Sequence, residues 1–197
     1  MGLKLFSRIF GDGEEHLVIL HGLLGSADNW QTLGKRYAEH LTVHLVDARN
    51  HGRSPHSSEH SYLLMAEDLL HYLNEKGVSK AHLLGHSMGG KTVMTFAEKY
   101  PERVAKLIVA DIAPQSYTPH HAPIFDALLE TNPSDAESRE EVQQFLESKL
   151  SYEPTLVPFL MKGLHRKREG GYSWRFNVST LAETHASVTK EVVLSVS

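Results

Sequence analysis

The chain contains no cysteine and no long apolar run, and these two absences exclude whole classes of protein. Without cysteine, it can form neither a disulfide framework nor a thiolate nucleophile or metal ligand. A membrane-spanning helix needs about 20 predominantly apolar residues, and no stretch approaches that length. Residues 1–15 also lack the apolar region of a signal peptide. We therefore expect a cytoplasmic protein that does not span a membrane.

A strong charge of either sign is also missing. Lys and Arg number 20 and Asp and Glu 24, so the net charge of −4 gives no reason to expect a nucleic-acid partner. The length of 197 residues suits one domain with a full hydrophobic core. The 14 histidines include no His-Glu-x-x-His motif, and the pair His56 and His60 flanks a loop. We therefore expect neither a metal nor another cofactor.

Short apolar runs alternate with amphipathic segments over the first 114 residues. Strands are predicted at residues 4–10, 17–20, 43–46, 83–84 and 107–110, and helices at 26–37, 62–73 and 88–100. Strands and helices that alternate with short connections indicate an α/β fold. Its sheet is mostly parallel and has helices on both faces.

The alternation stops near residue 115. A helix is predicted at 121–130, and a capping box at Ser134 and Glu137 opens a second helix. A third helix is predicted at 156–164, and Gly170-Gly171 forms a turn after it. A helical block that interrupts such a series predicts a lid over the carboxyl edge of the sheet, where α/β folds bind ligands. The predicted division is a core at 1–114, a helical lid at 115–180 and an atypical tail at 181–197.

The segment Gly85-His86-Ser87-Met88-Gly89 joins a predicted strand to a predicted helix. A Gly-x-Ser-x-Gly motif in this context is typical of a nucleophile elbow, in which the serine lies on a strained turn. The flanking glycines allow the strand and the helix to approach closely. The helix N-terminus favours the negative charge that develops during attack on a carbonyl. Ser87 is therefore the predicted nucleophile.

These features together resemble the α/β-hydrolase fold, and more narrowly the YbfF-like serine esterases. The segments that carry the resemblance are HGLLGSADNW (21–30), VDARNHGRSPH (46–56), LLGHSMGGK (83–91), VADIAP (109–114) and WRFNV (174–178). The resemblance implies a hydrolase of small carboxylic esters or thioesters, of the acyl-CoA type or with short acyl chains. It also implies that the reaction passes through an acyl-enzyme on Ser87.

The resemblance also assigns residues. The backbone amides of Leu23 and Met88 correspond to the oxyanion hole, and Asp111 corresponds to the acid of the catalytic triad. Asp47 also follows a strand and is a second candidate for the acid, although in the family its motif shapes a loop.

The family pattern breaks near the end of the sequence. The triad runs Ser, acid, His, with the histidine on a loop after the last strand, and nothing after residue 180 resembles that loop. The chain is therefore interpreted as C-terminally truncated, with the last strands of the fold missing. The histidines after Asp111 are His120, His121, His165 and His185. His185 is the first candidate to replace the missing base, whereas His21 and His86 are expected to be structural.

Three alternatives remain open. The chain could be a catalytically impaired fragment that binds a ligand or partner, or it could resemble the C–C hydrolases and haloperoxidases that share the elbow. The basic cluster, which comprises Lys162, His165, Arg166, Lys167 and Arg168, is either a solvated face or a contact for the phosphates of an acyl-CoA. Loss of the last strands would also leave residues 107–110 at an uncovered edge, which predicts self-association.

Overall fold

The computed structural model describes residues 2–118 and 121–193. Its strands are β1 (Ser7–Phe10), β2 (His16–Leu20), β3 (Thr42–Val46), β4 (Ala81–His86), β5 (Val104–Ala110), β6 (Leu164–Arg166) and β7 (Tyr172–Trp174). Its α-helices are α1 (Gln31–Tyr37), α2 (Tyr62–Glu75), α3 (Met88–Lys99), α4 (Ala122–Glu130), α5 (Arg139–Lys149), α6 (Leu156–Met161) and α7 (Val178–Thr184). Short 3₁₀ helices cover Ala27–Trp30, Pro101–Arg103 and His185–Val188.

The first five strands form one sheet in the order β1-β3-β2-β4-β5. Strands β3, β2, β4 and β5 run parallel to one another, and β1 pairs antiparallel with β3. The predicted, mostly parallel sheet is therefore confirmed. Its two central strands, β2 and β4, are the continuous apolar runs of the sequence, as expected for strands covered on both faces.

Alternate residues of β2 supply two separate cores. Val18 and Leu20 pack on one side with α2 and α3, whereas Leu17 and Ile19 pack on the other side with the segment that includes Trp30. Helix α2 begins where the Ser61 hydroxyl accepts a hydrogen bond from Leu64 N, and it ends before a glycine at φ +68°. Helices therefore cover both faces, as the sequence predicts.

A third core lies within the helical block that follows β5. The predicted capping box at Ser134 and Glu137 is wrong, since the Ser134 hydroxyl lies in a turn and bonds to Asn132. Helix α5 begins instead after Ser138, whose hydroxyl accepts from Glu141 N at 3.1 Å. The same Ser-x-x-Glu spacing thus occurs twice, and the second copy caps the helix. The helix predicted at 156–164 ends at residue 161, because residue 164 begins the β6–β7 hairpin.

The start of the predicted tail also packs on the core. Val188 packs in one cluster with Ala48, Tyr62 and Met88 of the core, and Thr189 O accepts a hydrogen bond from Tyr117 N at 2.8 Å. Residues 119–120 and 194–197, which include His120 and the apolar end of the tail, lie outside the described residues. The division into core, lid and tail at residues 114 and 180 stays a prediction.

Strand β5 differs from the strands beside it. Its apolar sequence is typical of a strand buried on both faces, yet Leu107 and Ile108 are exposed. The reason is that β5 is the last strand of the sheet within the described residues. The uncovered edge that the sequence predicts is therefore present.

Candidate active site

Ser87 lies at the sharp turn between β4 and α3. Its backbone is in the left-handed region (φ +51°, ψ −117°), which costs a non-glycine residue about 1–3 kcal/mol. The turn leaves no room for a side chain at Gly85 or at Gly89, two residues before and two residues after Ser87. A Cβ atom on Gly85 would lie 2.2 Å from Gly89 O, and one on Gly89 would lie 2.4 Å from Leu20 O. The strained strand–turn–helix geometry predicted for the motif is therefore present.

The loop after β2 faces this turn. Leu24 has a positive φ of 60°, and Gly25 N donates to Gly22 O at 3.0 Å to close the loop. A Cβ atom placed on Gly22 would lie 3.4 Å from Ser87 Cβ, so the loop passes directly beside the serine. Leu23 lines both cavities that open at Ser87. The two backbone amides predicted for the oxyanion hole thus belong to the loop and to the first residue of α3.

Two buried histidines fix the backbone of this loop. His51 Nε2 accepts from Leu24 N, and His21 Nε2 accepts from Ala48 N, each at 3.1 Å. Their Nδ1 atoms face carbonyls, of Arg49 at 2.9 Å and of Gly22 at 2.8 Å, and therefore carry the proton. Burial lowers the pKa of both rings. Each imidazole is therefore neutral and holds one tautomer, and the structural role expected for His21 agrees with these contacts.

The side chain of Asp47 also accepts hydrogen bonds from backbone amides. One carboxylate oxygen accepts from Ala27 N at 2.6 Å and the other from Arg53 N at 2.8 Å. Its side chain is buried beneath the loop, and both oxygens are occupied by amides. Asp47 therefore stabilises residues 47–54, which we call the brace, and is not placed to act as the acid.

Asp111 follows β5 at the same edge of the sheet as Ser87. His86 pairs with Ala110 in the parallel register, which brings the ends of β4 and β5 side by side. The Asp111 carboxylate lies 3.5 Å from His86 Nε2, and its side chain is 86% exposed. Sequence reasoning missed this contact, although the adjacency of two parallel strand ends could have predicted it.

The other histidines occupy different places. His185 Nδ1 contacts Ala182 O at 2.6 Å, and its ring packs against Phe125, so it does not line the cavities at Ser87. His121, at the start of α4, lines both of them. The preference for His185 as a substitute base is therefore not supported by its position, and His121 was missed. The position of His121 in the sequence, on the loop after β5, could have identified it as a candidate base.

Two cavities meet at Ser87. The larger measures about 570 Å³ and the smaller about 240 Å³. The larger lies between the sheet edge and the helical block, and its apolar lining includes Leu23, Leu24, Trp30, Leu33, Ile124, Leu156 and Phe159. Glu153 contributes a carboxyl side chain to that lining. The smaller one is bounded by Met88, Asp111 and the segment at Val188.

Within residues 2–118 and 121–193, no three His, Asp or Glu side chains are grouped to bind a metal ion. None of the helices in that part of the chain is long and apolar enough to cross a bilayer.

Comparison with known proteins agrees with this geometry. The sequence model of the alpha/beta hydrolase fold matches residues 15–155. The chain belongs to the α/β-hydrolase family. The chain is 36% identical to esterase YbfF of Escherichia coli K12 over 173 residues, which cover 87% of the chain and 66% of YbfF. It is 38% identical to the sn-1-specific diacylglycerol lipase ABHD11 of Danio rerio, with coverage of 84% and 54%.

A solved structure extends the likeness to the fold in detail. The marine microorganism esterase superposes on this chain with a TM-score of 0.94 at 39% identity, and the match covers 98% of this chain and 76% of the esterase. The chain spans 54% to 66% of the length of the two curated relatives named above.

Proposed function

We propose that this hydrolase carries the nucleophile, the oxyanion donors and the acid of a serine esterase. The observation that carries the proposal is the left-handed backbone of Ser87 at a helix N-terminus, beside the Gly22–Gly25 loop and open to an apolar cavity. A strained backbone at a serine destabilises the fold, and such residues are found mainly at functional sites. The helix N-terminus favours an oxyanion at that point.

In the proposed reaction, Ser87 Oγ attacks the acyl carbon and its proton passes to a base. The carbonyl oxygen becomes negative and accepts hydrogen bonds from the amides of Leu23 and Met88, worth about 3–4 kcal/mol per donor. Collapse of the tetrahedral intermediate breaks the ester C–O bond, and the alcohol leaves with the proton. Water then attacks the acyl group on Ser87 by the reverse sequence and releases the acid.

The proposed acid is Asp111, and the base would be a histidine. Asp111 would orient and stabilise an imidazolium, as a triad acid does. Among the described residues, His86 lies within ion-pair distance of Asp111, and His121 shares both cavities with Ser87. A site without a histidine bonded to its serine retains only about 10³–10⁴-fold acceleration over water. We therefore expect weak turnover by this chain.

The larger cavity supports a neutral substrate with an apolar acyl group. Apolar side chains dominate its lining, and Glu153 would repel an anionic acyl group. The basic cluster of residues 162–168 does not contribute to that lining. We therefore propose a small carboxylic ester, hydrolysed in the cytoplasm, rather than an acyl-CoA thioester. Charge reversal at Arg166 and Lys167 should leave KM for both substrate types unchanged.

Hydrolysis of p-nitrophenyl butyrate tests the proposal. Ser87→Ala should remove the part of the turnover that passes through an acyl-enzyme on Ser87, whereas Ser148→Ala, which changes an exposed serine on α5, should leave turnover unchanged. A fluorophosphonate probe adds a second readout, because Ser87 Oγ bonds to phosphorus and fluoride leaves. Peptide mapping should find the adduct on Ser87. Equal turnover in the wild type and Ser87→Ala, together with no adduct on Ser87, would refute the nucleophile. Neither turnover nor adduct in the wild type would favour the impaired fragment.

A further inference from the structure

Lys91 is a buried cation four residues after the nucleophile. Its side chain is only 1% exposed, although it belongs to the first turns of α3. Its ammonium group donates to Gln115 O at 2.9 Å and to Thr189 O at 3.4 Å, and it also contacts Lys190 O. Three carbonyls from two distant segments therefore converge on one side chain.

Two aromatic rings complete its surroundings. The ammonium lies 4.8 Å from the ring centre of Tyr117 and 5.8 Å from that of Tyr62, within the range of cation–π interactions. Within the described residues, no carboxylate lies within ion-pair distance of it. The groups that contact the Lys91 ammonium directly are therefore neutral, and Glu191 acts on it from a longer distance by raising its pKa, which only partly offsets the effect of burial.

A charged amine is energetically unfavourable at this buried position near a helix N-terminus. Burial disfavours the charged amine and lowers the pKa of Lys91. The positive end of the α3 dipole also opposes a cation in its first turns. An apolar side chain would fill the same space at lower cost. Because a lysine is unfavourable at this position, the contacts that Lys91 makes with other segments indicate a role beyond packing.

The segments that it joins also bond to each other. Tyr117 N donates to Thr189 O at 2.8 Å, and Ala113 N donates to the Tyr117 hydroxyl at 2.9 Å. The Tyr62 hydroxyl donates to Val188 O. The loop that begins at the candidate acid and the segment after the last 3₁₀ helix thus meet over α3, with the Lys91 ammonium at their junction.

Both segments form walls of the smaller cavity at Ser87. Asp111 and Tyr117 contribute from the loop, and Val188 and Thr189 from the other segment. We infer that Lys91 is a positioning residue that holds residues 111–118 and 188–192 against the nucleophile helix and thereby shapes this cavity. The inference rests on the proposed function only in treating the cavity as part of the active site.

Lys91→Met tests the inference, because methionine keeps much of the side-chain length and removes the charge and the donors. Lys99→Met, an exposed lysine on the same helix, is the matched control. Amide exchange is followed by mass spectrometry, and fluorophosphonate labelling of Ser87 is timed in parallel. We expect exchange at 112–118 and 188–192 to accelerate about tenfold or more in Lys91→Met, since hydrogen bonds to a charged donor are lost. Exchange in β2 and β4 should be unchanged, and labelling should slow about tenfold.

Uniform acceleration across the sheet, or equal exchange in Lys91→Met and Lys99→Met, would overturn the inference. Faster exchange with unchanged labelling would overturn its claim on the cavity. If Lys91→Met does not fold, Tyr117→Leu removes the ring from the same junction and should accelerate exchange in the same two segments. A wild-type chain in which Ser87 is never labelled would count against the proposed function, and the exchange measurement would still decide the role of Lys91.

Discussion

The two halves of the site are supported very differently. On the nucleophile side, the brace supports the Gly22–Gly25 loop and the 3₁₀ helix after it, because His51 accepts from Leu24 N and Asp47 accepts from Ala27 N. On the acid side, Asp111 has an 86% exposed side chain and contacts His86 at 3.5 Å. One half is buried and held by hydrogen bonds, and the other is open to solvent.

The difference follows from the position of each strand. Strands β2 and β4 have neighbours on both sides, so the loops at their carboxyl ends are surrounded by packed structure. Strand β5 has a neighbour on one side within the described residues. The fold therefore holds the proposed oxyanion donors within packed structure, whereas the proposed acid, Asp111, depends on a small number of local contacts.

The largest effect should come from the anchor of the brace. Arg49 makes a buried pair with Asp68 at 2.6 and 2.8 Å, and the exposed fractions of the two side chains are 5% and 0%. Asp68→Ala leaves the guanidinium buried without its partner, which costs about 3–5 kcal/mol of the free energy of unfolding. Urea denaturation measures the change.

The matched control is the exposed pair of Lys4 and Glu75, where the lysine is 80% exposed. Glu75→Ala should cost at most about 1 kcal/mol. Similar losses for the two variants would mean that the brace is not more firmly anchored than the surface.

A smaller loss is expected from the ring that holds the loop itself. His51→Leu leaves the buried Leu24 amide without an acceptor, which costs about 1–3 kcal/mol. His51→Gln returns an oxygen near the position of Nε2 and should recover part of the loss. His56→Leu changes an exposed histidine nearby and should have little effect. Equal denaturation midpoints for His51→Leu and His51→Gln would show that packing, and not the acceptor, is what matters.

The contrast also explains what could be predicted from the sequence. The alternation of apolar runs, the motif around Ser87 and the glycine after α2 predicted the sheet, the elbow and a helix end, because these depend on local sequence. The contacts of His51 with Leu24 and of Lys91 with Thr189 could not be predicted, because they join residues that are distant in the chain. The capping box was misplaced because two Ser-x-x-Glu patterns compete, and only tertiary packing selects one.

Acid should destabilise the buried side of the molecule. Burial, together with the charge of Arg49, lowers the pKa of His60 to about 4, against 6.5 for an exposed histidine. Between pH 6.5 and 4 the unfolded chain binds a proton at His60 that the folded protein does not, so stability falls as pH falls. Each such histidine contributes at most about 1.4 kcal/mol per pH unit.

Urea unfolding at a series of pH values measures this slope. His60→Phe should flatten it by about one proton, and His40→Phe, at an exposed site, should leave it unchanged. A slope that does not respond to His60→Phe would mean that this ring is protonated in the folded state at the same pH as in the unfolded state.

The exposed edge at β5 should promote self-association of the chain. Ile108 is 46% exposed on the edge strand β5, and Ile9 is 45% exposed on β1 at the opposite edge. An uncovered apolar edge is a template for pairing between chains. We expect the wild type to self-associate with rising concentration in size-exclusion chromatography with light scattering. Ile108→Lys should shift it toward the monomer more than Ile9→Lys does. A monomer at all concentrations would contradict the prediction.

The smallest effect on stability should come from the acid. Asp111→Ala removes a side chain that is mostly in water and makes one long contact, so the free energy of unfolding should change by no more than about 0.5 kcal/mol. It should nevertheless reduce any turnover that depends on Ser87, because an oriented imidazole requires the carboxylate. Urea denaturation and p-nitrophenyl butyrate hydrolysis, measured on the same sample, separate the two effects. A loss of stability as large as that of His51→Leu would mean that Asp111 supports the fold as firmly as the brace does, and the contrast between the two halves would then be wrong.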